Sequence, residues 1–139
     1  MAGNPTSYGA KLGVDYQTGK AIDHSAPRTT YLALCTADFA NNALLTALPE
    51  VSTAGYARQP VTWGDSTDAY PSVAKNAAVI TFGPVTVDMA SPATHAALVT
   101  VGTGTAGKII YKWELDAAQQ PVAGQALQIA INKLTITSS

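Results

Sequence analysis

The sequence predicts an all-β protein: an antiparallel β-sandwich, or a partly open barrel, of about seven to eight short strands behind an extended N-terminal arm. Three observations carry this. Apolar and polar residues alternate with period two, most clearly in Ile109-Ile110-Tyr111-Lys112-Trp113-Glu114-Leu115-Asp116. There the odd positions are large and apolar and the even positions after Ile110 are charged. Turn signals such as Gly83-Pro84 and Gly102-Thr103-Gly104-Thr105-Ala106-Gly107 separate the apolar runs. No helical periods alternate with the strands, so a parallel α/β sheet is not expected, and no repeat or heptad suggests a fibrous shaft.

Residues 1–28 read as an arm and 29–139 as the β-sandwich domain. The arm holds Gly3, Gly9, Gly13, Gly19, Pro5 and Pro27 and few large aliphatic residues. A helix near residues 7–16 capped by Ser7 carries two internal glycines at about 1 kcal/mol each, so an extended conformation is the simpler expectation. The first strand is expected at 29–36. Residues 37–54 read as a loop with a single helical turn tucked on the core. A second strand at 56–63 contains Pro60, which suits an edge or a bulge. After the loop 64–71, strands are expected at 77–82, 85–89, 95–101, 108–115 and 127–137, with 102–107 as a hairpin turn. In the last of these the apolar parity slips at Asn132-Lys133, which calls for a bulge or tight turn.

Charged residues make up 12% of the chain, about half of the ~25% usual for soluble domains. A weakly charged surface suits a secreted protein or a subunit packed in a larger assembly. The net charge is −1, which leaves no electrostatic footprint for nucleic acid. The N-terminus does not read as a signal peptide, and no apolar run approaches the ~20 residues of a membrane span. The expectation is a protein made in the cytoplasm of a host, either soluble there or carried outside in a particle.

The search for chemistry returns no catalytic, cofactor-binding or metal site. Cys35 lies alone in an apolar run and reads as a buried, inert thiol. His24, in Asp23-His24-Ser25, has triad residue types as sequence neighbours, but triad groups meet across a fold, so a polar turn is expected. His95 reads as a hydrogen-bonded structural histidine; a pocket joining it to a carboxylate is what an enzymatic reading needs. Asp65 and Asp68 lack the ligand density of a calcium loop, and Asp88 and Glu114 form no recognisable acid–base pair. The Gly102 to Gly107 run lacks a phosphate-binding lysine. Tyr111 and Trp113 read as core anchors, while Tyr56, Trp63 and Tyr70 are the aromatics from which a carbohydrate platform would be built. In Gly55-Tyr56-Ala57-Arg58, Gly55 is expected at positive φ, Tyr56 against the sheet, and Arg58 bridging carbonyls or an acid.

Several segments in order carry a resemblance: 30–38 (TYLALCTAD), 55–59 (GYARQ) leading to 61–64 (VTWG), 76–79 (NAAV) with Phe82, 94–98 (THAAL) before the glycine-rich hairpin, and 124–129 (GQALQI). Over about residues 29–137 the chain resembles small virion proteins of tailed bacteriophages, notably of actinobacteria, labelled tail-fibre-like, minor tail or head decoration proteins. In similar sequences the N-terminal region looks a better helix; Gly9, Gly13 and Gly19 depart from that pattern. The resemblance implies a non-enzymatic β-rich module that docks on a phage particle. The leading expectation is a capsid decoration protein on the outside of the head. It would be a homo-oligomer bound to the major capsid protein or other virion proteins, without nucleic acid or membrane. The alternatives are a minor tail or fibre-like protein touching the host surface, with a host glycan as partner, and a carbohydrate-binding sandwich. The N-terminal arm is the expected assembly contact.

Overall fold

The computed structural model describes residues 1, 3–20 and 28–138. Among them are nine strands, all paired antiparallel, and one α-helix. They run in the order β1 (Gly3–Pro5), α1 (Ser7–Gln17), β2 (Tyr31–Cys35), β3 (Gln59–Pro60), β4 (Ser72–Lys75), β5 (Ile80–Phe82), β6 (Ala93–Val99), β7 (Ile109–Gln119), β8 (Leu127–Ile129) and β9 (Thr135–Ser138). One five-stranded sheet has the order β1-β7-β6-β2-β3; β4 pairs with β9 and β5 with β8 in two small ribbons. The fold is all-β and sandwich-like, and the sheet does not close into a barrel.

Period-two alternation decides which side chains meet. Leu32 and Leu34 on β2, Ala96 and Leu98 on β6, and Tyr111, Trp113 and Leu115 on β7 share one sheet face. They pack on Ile80 and Phe82 of β5, Leu127 and Ile129 of β8, and on Val51, Val61, Val85, Met89 and Leu134. Trp113 anchors this layer: it is 1% exposed, its Nε1 donates to the Thr135 carbonyl at 2.9 Å, and its ring lies 4.8 Å from Tyr111 and 6.4 Å from Trp63. The opposite face carries Cys35, Ala97, Val99 and Ile109 beneath Phe39 and Leu45. Ile109 reaches that face because the β6–β7 ladder passes from Leu98↔Tyr111 to Val99↔Ile109, leaving Ile110 unpaired as a bulge. Leu45 comes from a single 3-10 turn, Leu45–Ala47, in the long loop after β2, as its composition predicts.

Several sequence expectations meet their geometry. Pro60 sits on β3 at the edge of the sheet, the glycine-rich segment 102–107 joins the paired strands β6 and β7, and Asn132 turns the chain between β8 and β9 at φ 65°. Others are corrected. No strand forms at 85–89: Gly83 (φ 105°) and Pro84 redirect the chain, and Val85 instead exchanges hydrogen bonds with Gln125 and Gly124. β4 lies inside a stretch where no strand is expected, because its mixed Ser-Val-Ala-Lys sequence is ordered by β9.

The largest correction concerns the arm, where the described residues include a helix, Ser7–Gln17, in place of an extended chain. Thr6, not Ser7, caps a helix of 11 residues; its hydroxyl accepts from the Gly9 N–H at 3.2 Å and donates to the Ile109 carbonyl. Gly9 lowers the helix onto β7: a Cβ there would lie 2.0 Å from the Ile110 oxygen. The glycine that weakens the helix intrinsically is what allows it to dock. Before it, β1 pairs with β7, Gly3 opposite Trp113 and Pro5 opposite Tyr111. His24 and its neighbours Asp23 and Ser25 lie outside the described residues.

Candidate functional site

Two polar constellations hold this fold's loops. The first grows from the short loop before β3. Gly55 adopts φ 93°, and a Cβ there would lie 2.4 Å from the Pro84 oxygen, so glycine is required on both counts. Tyr56 then turns inward, its ring stacked 5.9 Å from Phe82. Its hydroxyl accepts from the Leu34 N–H at 2.9 Å and donates to Glu50 Oε2 at 2.8 Å. Burial and the Glu50 charge push the Tyr56 phenol well above its ordinary range. Arg58 grips the same carboxylate with Nε and Nη2, both at 2.8 Å, and its Nη1 donates to the Val101 and Gly104 carbonyls at 3.2 and 2.9 Å. The hydrogen bonds to Glu50 hold the guanidinium firmly charged. One carboxylate thus ties the end of the 37–54 loop to β2 and to the β6–β7 hairpin. Arg58 bridges both an acid and carbonyls, as its sequence context predicts.

The second constellation lies on the sheet face near that loop. Lys112 of β7 reaches Asp38 at 2.8 Å, donates to the Phe39 carbonyl, and sits 5.0 Å over the Phe39 ring. The Lys112 hydrogen bond, helped by the Phe39 N–H, holds the Asp38 carboxyl below the usual carboxylate range. His95 Nε2 lies 3.9 Å from the same Asp38 oxygen, and its Nδ1 is 2.9 Å from Thr94 Oγ1. Asn4, Asn41 and Glu114 complete a shallow cleft of about 350 Å³. His95 therefore does share a cleft with a carboxylate. That carboxylate is 64% exposed and engaged by Lys112 and the Phe39 amide, which makes it an anchor for the loop.

The remaining residues singled out in the sequence are dispersed. Cys35 is fully buried, and burial, with the Glu50 charge, pushes its thiol up to about 12. Asp65 and Asp68 lie in an exposed loop; among the described residues no group of three or more His, Cys, Asp or Glu stands where it could hold a metal ion. Asp88 accepts from the Ala123 N–H at 2.8 Å. Trp63 is half-buried and donates to Thr30 Oγ1 at 3.1 Å, and Tyr70 is 85% exposed. Tyr56, Trp63 and Tyr70 therefore present no common exposed platform. Sequence reasoning missed Glu50, Asp38 with Lys112, and Asn76. The fully buried Asn76 donates to the Ala78 and Ala130 carbonyls and accepts from the Leu134 N–H at 2.8 Å. The partners that matter are mostly distant in sequence, Lys112 for Asp38 and Leu134 for Asn76, so no local pattern marks them.

In this all-β module the Glu50–Arg58 and Asp38–Lys112 clusters both fasten loops. The model of one family, Gp80, described as Podophage GP4 fiber I protein gp80, matches residues 6–137. The chain belongs to this family and is a bacteriophage virion protein. The match takes in helix α1 and strands β2 to β8, with β9 up to Thr137, while β1 lies before it. No curated protein matches the chain. No described helix is long and apolar enough to cross a membrane.

Proposed function

We propose that this protein is a non-enzymatic subunit of a virion fibre, assembled in the host cytoplasm and attached to the particle through other virion proteins. The observation that carries the reading is the match of a fibre-protein family over nearly the whole chain. The weakly charged surface and the clusters committed to loop anchoring agree with it. A capsid-decorating role, which the lack of a shaft repeat in these residues would suit, is the second reading.

Helix α1 supports a role for the N-terminal segment in attachment. None of its residues is buried within the chain, and Val14 and Tyr16 are 58% and 75% exposed. Quantitative mass spectrometry of purified particles, with immunogold labelling, tests the location. A few copies per particle, labelled on a fibre, are expected; hundreds of copies over the head would replace the fibre reading with decoration. Val14→Asp with Tyr16→Asp is expected to abolish incorporation into particles while leaving the sheet folded. Normal incorporation would refute the role of α1.

A further inference from the structure

The β5–β8 ribbon closes one side of the core with Ile80, Phe82, Leu127 and Ile129 and turns the alternate residues Thr81 and Gln128, paired in register, outward. Along the chain on either side of the two strands, Val79, Val87, Val122 and Ile131 are each about half exposed. The strands lie in two segments, 76–87 and 117–132, that contain no Asp, Glu, Lys, Arg or His. Charges resume only at the ends of the segments, with Lys75 and Lys133 of one sign and Asp88 and Asp116 of the other. The outward polar groups are amides and hydroxyls that bond within the patch: Gln128 Nε2 with Thr81 Oγ1 at 3.4 Å, and Gln128 N with Gln119 Oε1 at 2.9 Å.

This chemistry bears on what can cover the face. In a rotationally symmetric assembly the residues nearest the axis meet copies of themselves, so a charge there meets its own sign. Amides and hydroxyls both donate and accept and can pair with their own copies, which Lys or Asp cannot. Two uncharged segments carrying such groups with half-exposed valines and an isoleucine, bounded along the chain by two charges of each sign, meet copies of themselves without opposing like charges. We propose that the outer face of the β5–β8 ribbon is where copies of this chain associate, with the symmetry axis passing close to Thr81 and Gln128. A fibre subunit and a capsid-decorating one use this face alike, so the inference stands apart from the location of the protein on the particle.

Sedimentation velocity and native mass spectrometry of the purified full chain test it. The wild type is expected to be a homo-oligomer at tens of micromolar. Thr81→Glu and Gln128→Glu, separately, are expected to weaken association about tenfold or more by bringing like charges together. Mixing Thr81→Glu with Thr81→Lys is expected to restore association as a mixed species. Both positions face solvent, and an unchanged circular dichroism melt confirms that each variant folds; the same variants made with Lys at both positions repeat the test independently of acidic side chains. Val14→Asp on α1 is expected to leave association unchanged. A monomeric wild type overturns the proposal, since the face would then serve a different protein. So does an oligomer that survives charge at both positions, or one that Val14→Asp alone dissolves.

Discussion

Removing the guanidinium of Arg58 tests how much one charged clamp contributes to this fold. The side chain is 7% exposed and makes four hydrogen bonds, two to Glu50 and one each to the Val101 and Gly104 carbonyls. Deleting one partner of a buried pair costs about 3–5 kcal/mol because the other charge is stranded. Here Glu50 is 22% exposed and keeps the Tyr56 hydroxyl, so the low end applies, about 3 kcal/mol for Arg58→Ala. At roughly 3–4 °C per kcal/mol for a domain of this size, the melting temperature should fall by about 10 °C. Arg58→Lys keeps the charge but loses the fork, and should cost roughly half as much. The assay is urea unfolding followed by tryptophan fluorescence, with Glu50→Gln and the double variant completing a cycle. The midpoint should shift at constant slope, and the two single losses should not add. A loss below about 1 kcal/mol, the figure for an exposed ion pair, would refute the idea that this clamp holds the loop and hairpin in place.

Three other outcomes follow from the same geometry. Gly13 faces open space inside α1, so Gly13→Ala should raise helicity and the stability of that segment by about 0.5–1 kcal/mol, whereas Gly9→Ala should undock the helix; amide exchange of residues 7–17 distinguishes the two. Asn76→Asp places a carboxylate where two donors now serve the Ala78 and Ala130 carbonyls, and should cost about 3 kcal/mol or more in chemical denaturation, close to neutral pH. Cys35, fully buried with its thiol pushed up to about 12, should stay unmodified by a disulfide-exchange reagent at pH 8 in the native protein and react at once in denaturant. Rapid native labelling would contradict that packing.

What the sequence revealed and what it hid divide along contact distance. The alternation from Ile109 to Asp116 showed both faces of β7, and the parity slip at Asn132-Lys133 marked the turn between β8 and β9. The Gly55-Tyr56-Ala57-Arg58 piece was legible because each residue type has a narrow range of uses at the start of a strand. Helix α1 was not, because its stability depends on Thr6 and Gly9 meeting Ile109 and Ile110, a contact no local propensity contains. β4 was hidden for the same reason: its sequence is ambiguous until β9 pairs with it. The Asp38–Lys112 anchor joins residues separated by most of the domain, so its charges looked isolated along the chain.

The strand order also governs when each part of the molecule can form. β1 waits for β7, since Gly3 pairs with Trp113, and β4 waits for β9, since Ser72 pairs with Ser138. During synthesis, then, neither of these pairs can close until its late partner has emerged. The β6–β7 hairpin is the most local large pairing, and it supplies the centre on which β2 and β1 assemble. Such non-local pairing makes for slow folding and leaves the apolar run Ala96-Ala97-Leu98-Val99 exposed in the interval. Stopped-flow fluorescence should accordingly find refolding slowed by Ala97→Gly in β6 and nearly unaffected by Ala74→Gly in β4, which would instead speed unfolding.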